Sequence, residues 1–160
     1  MSYFSSSQFA SAAATGNDWR EVAKSVLEDL SEAKTAEDSF NFGFLYISDM
    51  LAEDAESILN LFKSVLNIDN WVGGIGIGIC ANGQSYIDKP AISAMVGRFD
   101  DKEFCLFPPI NQDPEKASEC LQAWLENNDP MRVLTIGETM AEQNPAHTLP
   151  NLAAQCTGFM

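Results

Sequence analysis

Residues 40–80 read FNFGFLYISDMLAEDAESILNLFKSVLNIDNWVGGIGIGIC. The first part, Phe40 to Ser48, is short, apolar and aromatic, the make-up of a buried strand. Asp49 to Asp54 is a polar break. Ala55, Ile58, Leu59, Phe62 and Leu66 then recur at helical spacing and leave a single apolar stripe. After a turn at Asn67 to Asn70, Trp71 to Cys80 reads as a second strand. Strand, helix, strand with short joints is a βαβ unit. Its strands are expected to be parallel and its crossover right-handed.

Upstream, Trp19, Val22, Val26, Leu27 and Leu30 lie at helical spacing between Asp18 and Lys34, with Asn17 or Asp18 placed to cap the helix. Downstream the style changes. Ala81-Asn82-Gly83-Gln84 contains Asn-Gly, a strong hairpin signal. Ala91 to Phe99 reads as a strand, Asp100-Asp101-Lys102 as a turn and Glu103 to Pro108 as another strand, so an antiparallel meander is expected beside the parallel pair. Asp113-Pro114-Glu115 has the form of a helix start, with Ala117, Leu121, Trp124 and Leu125 as the buried stripe. Met131 to Gly137 reads as a strand, and Leu149 to Cys156 as the beginning of one more helix. The expected fold class is therefore mixed α/β: a sheet with a βαβ unit, a meander and a second βαβ-like unit, with helices packed on it.

That second unit echoes the first. Leu45, Ile47, Ala52 and Glu53 recur at one constant offset as Leu134, Ile136, Ala141 and Glu142, with Asp49 opposite Glu138. Trp71-Val72 is matched by Phe159-Met160, where the sequence stops. Residues 1–160 are thus expected to be one domain, incomplete at its C-terminal end.

The bulk numbers agree with one domain. A chain of 160 residues with 46% apolar residues can bury roughly two-thirds of its unfolded surface. Twenty-three acids against nine basic residues leave a net charge of −14, which disfavours nucleic acid and anionic membrane surfaces as partners. No apolar run approaches the roughly 20 residues needed to span a bilayer. Cys80, Cys105, Cys120 and Cys156 are widely spaced with no C-x-x-C pair, which suits small apolar side chains in a reducing compartment rather than bridges. The Ser- and Ala-rich first residues lack the cationic start and apolar run of a signal peptide. A cytoplasmic location follows as the expectation.

GFLYISDMLAEDAESILNLF and NWVGGIGIGICANGQSYIDKPAISAMVG resemble the N-terminal part of the FIST domain, and FASAAATGNDWREVAKSVLEDL is similar to that family's first segment. The shared pattern is a strand ending in a Ser-Asp step, a helix, a Trp/Val-Gly-Gly strand, a Gly-containing turn and a Pro-Ala-Ile-Ser strand. The resemblance implies an intracellular sensory module of a signal-transduction protein, binding a small ligand such as an amino acid. It also implies a second FIST half or a signalling output domain as a further partner. It transfers no binding residues.

The residues themselves single out Gly73, Gly74, Gly76 and Gly78. In a strand, Gly74, Gly76 and Gly78 would leave bare backbone on one face and Ile75, Ile77 and Ile79 on the other. Interior glycines weaken a strand, so either a ligand rests on that floor or a helix packs close to it. The spacing does not match a dinucleotide loop. Asp49 and Glu138 follow strands, where open α/β sheets bind ligands, and each either anchors a ligand amine, caps the next helix or is simply solvated. Cys80 ends the glycine strand, either touching a ligand or simply buried. His147 has no metal-ligand neighbours at suitable spacing, and Glu53, Asp54 and Glu56 read as a solvated cluster at a helix start. No P-loop, nucleophile elbow or H-E-x-x-H motif is present, so neither a catalytic residue nor a cofactor or metal is assigned. The expectation is a small-molecule-binding domain that is not an enzyme. The alternatives are an enzyme fragment using the loop carboxylates and a scaffold that receives a protein partner.

Overall fold

The computed structural model describes residues 8–33, 40–100, 102–107, 122, 124–128, 134 and 136. The chain divides into two compact units, Met1–Phe99 and Asp100–Met160. The first holds strand β1 (Phe9–Thr15), helix α1 (Trp19–Glu32), strand β2 (Phe42–Ser48), a 3-10 helix (Asp49–Asp54) and helix α2 (Ala55–Leu66). Strands β3 (Asn70–Gly76), β4 (Gly78–Ala81), β5 (Gln84–Ile87) and β6 (Ala91–Gly97) follow. This is a mixed α/β architecture: a four-stranded sheet of order β1-β6-β2-β3 and a two-stranded sheet of β4 and β5.

The βαβ unit forms as the apolar spacing predicts, with β2 and β3 paired in parallel from Phe42 opposite Asn70 to Ser48 opposite Gly76. The polar break between β2 and α2 is the 3-10 helix, which tightens the chain ahead of α2. Helix α2 buries Ile58, Phe62 and Leu66, and stops at Asn67, whose left-handed backbone (φ 54°) is the usual helix-ending conformation. In α1, Asp18 is the N-cap and its carboxylate accepts from the Arg20 backbone N–H at 2.9 Å. Val22, Ala23, Val26, Leu27 and Leu30 form its buried face.

Register assigns the two faces of the main sheet. Ala12, Ala94, Leu45 and Gly73 lie in one row across the four strands. Rows alternate, so Ala10, Ala14, Ile92, Val96, Ile47 and Trp71 share that face. These residues and the apolar faces of α1 and α2 make the core. The Trp71 ring occupies the space beside Gly43, its register partner, and is met edge-on by Phe62 at 5.8 Å. An aromatic ring over a cross-strand glycine supplies the packing that the glycine lacks.

The structure corrects several expectations. The Ser- and Ala-rich opening, to which the sequence assigned no element, is β1. It pairs antiparallel with β6 over Phe9–Thr15, and its small side chains admit α1 close to the sheet. The meander is not continuous. Strands β4 and β5 form a separate hairpin, while β6 enters the main sheet between β1 and β2, antiparallel to both. The predicted strand Trp71 to Cys80 is broken at Ile77, which lies between β3 and β4.

In the second unit, the turn after Phe99 forms, with the Glu103 N–H donating to the Asp100 carbonyl at 2.8 Å. The strand expected from Glu103 is not there: Glu103 is in the turn and Phe104 to Phe107 have no regular structure. Gln122, Trp124 and Leu125 are helical, and the Asn128 side-chain amide donates to the Trp124 carbonyl at 2.9 Å just beyond them. Leu134 and Ile136 are exposed and are not part of a strand. The rest of the expected second βαβ-like unit, with its helix start at Asp113 and its last helix from Leu149, lies outside the described residues.

Candidate functional site

Strands β2 and β3 run in the same direction and end together, Ser48 opposite Gly76. Asp49 and Ile77 therefore leave the sheet at one rim. Thr15 and Ala91 are register partners at the same end. There the Thr15 hydroxyl donates to the Pro90 carbonyl at 2.6 Å, and the Gly16 N–H to the same oxygen at 3.3 Å.

Ser48, which the sequence reading passed over, is the most constrained side chain of the rim. It is fully buried, and the Ala91 backbone N–H donates to its Oγ at 2.9 Å. The ladder between β2 and β6 ends at Ile47 opposite Ile92, so the hydroxyl extends that ladder by one bond. With its oxygen turned to β6, Ser48 makes no capping bond to the 3-10 helix that it precedes. A serine ending an apolar strand was the available signal, but only the position of β6 shows its partner.

Asp49 is exposed and opens the 3-10 helix. It does not cap that helix, whose N-cap position is Ser48, and stands solvated in its first turn. Glu138, its expected counterpart, lies outside the described residues, as do His147, Cys120 and Cys156.

The four glycines do not form one floor. Gly73 shares the core face by its register with Leu45 but is itself exposed on the edge strand, and a Cβ there would fall on the Leu45 carbonyl. Gly74 and Gly76 are on the opposite side of β3, in register with Tyr46 and Ser48. Gly78 lies beyond the bend, in β4. A Cβ on Gly76 would come within 3.2 Å of the Gly78 carbonyl, and one on Gly78 within 3.3 Å of Ile87 Cγ1. The close neighbours of these glycines are thus an adjacent strand, the bend itself and the other arm of the hairpin, not the helix offered as the alternative. The absence of side chains allows β2 and β3 to approach and the chain to bend at Ile77.

The bend also redistributes the isoleucines. Ile75 and Ile77 are 46% and 66% exposed, whereas Ile79 is 6% exposed. They do not share one side because β4 leaves the line of β3. Strand β4 lies against β2 and β6, and the hairpin turn reaches β1. There the Ser11 hydroxyl donates to Asn82 Oδ1 at 2.9 Å. Cys80 alternates with Ile79 and takes the outward side of β4. It is exposed rather than buried, with its Sγ 3.6 Å from Ser85 Oγ on the facing strand.

The acids near the start of α2 do not converge: Glu53 and Glu56 are exposed and Asp54 is half-buried. Among the described residues no three Asp, Glu, His or Cys side chains are grouped as a metal site would need. No described helix is long and apolar enough to cross a membrane. No protein-family model, no curated protein and no solved structure matches this chain.

Proposed function

We propose that this chain is a small-molecule-binding sensory domain of a cytoplasmic signal-transduction protein, without enzymatic activity. Its ligand is an amino acid or related metabolite bound through its amine at the rim where β2 and β3 end. One observation carries the reading: parallel pairing sets Ser48 opposite Gly76, so the exposed Asp49 and the bend at Ile77 leave the sheet at one rim. Carboxyl ends of parallel strands are where open α/β sheets bind ligands, and a carboxylate there matches a cationic amine. Gly74 and Gly76 keep one side of β3 free of side chains just ahead of the bend. A second FIST half or an output domain would receive the signal, as the sequence resemblance implies.

Thermal unfolding in the presence of amino acids and their deaminated analogues tests this. A ligand held at about a hundred times its Kd adds about 2.7 kcal/mol to stability, enough to raise the midpoint by several degrees. The amine-bearing compound is expected to do so for the wild type and not for Asp49→Asn, each shift being read from that protein's own midpoint without ligand. An equal shift in both proteins, or no shift from any amine, overturns the proposal.

A further inference from the structure

We draw no further inference here: the strongest candidate, the patch of exposed Ile75, Ile77 and Ile87 around the β3–β4 bend and the β4–β5 hairpin, is an apolar surface with nothing in the structure to show what covers it.

Discussion

The hydroxyl of Ser48 and the missing side chain of Gly73 each fix how β2 meets a neighbouring strand. The Ser48 oxygen is the partner of the Ala91 N–H in a fully buried position. Leaving a buried donor unpaired costs about 1–3 kcal/mol. Ser48→Ala is expected to lower the stability by that amount, read as a lower urea midpoint with an unchanged m-value, and an unchanged midpoint would show that Ala91 finds another acceptor. Gly73→Ala is the sterner change, because the new methyl meets a backbone carbonyl that cannot swing aside. It should cost more than Gly83→Ala, where nothing lies within 4 Å and only the positive φ of 76° opposes a side chain. That opposition is worth about 1 kcal/mol. Comparing the two midpoints checks the order, and equal losses would mean that β2 and β3 can separate locally without affecting the rest.

Among the elements, the β4–β5 hairpin joins local and long-range structure most directly. Asn82 and Gly83 both have left-handed backbones, φ 51° and 76°, the pattern of a type I′ turn, whose twist suits a two-residue hairpin. Asn82 serves the turn and also the tertiary bond to Ser11. Asn82→Ala removes both the residue best suited to that backbone and the link to β1. The expected loss is about 1–2 kcal/mol by denaturant unfolding. Ser11→Ala should lose only the link, and so less. If the two variants lose equally, the turn conformation contributes nothing of its own.

Helices α1 and α2, and the parallel strands that flank α2, were legible because each repeats a local rule over many residues: apolar side chains every third or fourth position, or an unbroken apolar run. Asp18 as cap and Asn82-Gly83 as turn were legible because their chemistry acts within three or four residues. Strand β1 was not. Alanine has little preference for strands, and FASAAAT becomes one because β6 supplies its hydrogen bonds and α1 needs small side chains beneath it. The break at Ile77 was equally hidden, since an alternating Gly-Ile run satisfies a straight strand and a bent one alike.

Over the whole molecule, charge opposes compactness. The chain carries −14, while the ion pairs among its described residues, Lys24 with Glu28 at 3.6 Å and Arg20 with Asp18 at 3.9 Å, are both exposed. Exposed pairs contribute little, so salt removes more repulsion than attraction. The thermal midpoint is expected to rise as sodium chloride increases from about 0.02 M to 0.5 M, screening over a Debye length that shrinks to less than about 10 Å. A falling midpoint would show that attractive pairs dominate.

The sequence by itself determined the class of the fold and the parallel β2–α2–β3 unit, because hydrophobic periodicity and local turn chemistry are properties of neighbouring residues. It also singled out Asp49 and the glycines, because their residue types are unusual where they stand. Tertiary structure alone decided that β6 lies between β1 and β2, and that Ser48 completes its ladder. It likewise decided that the glycines divide between two sides of a bent chain instead of lining one surface. These outcomes depend on backbone groups that meet across tens of residues, and the sequence between them carries no local mark of the encounter.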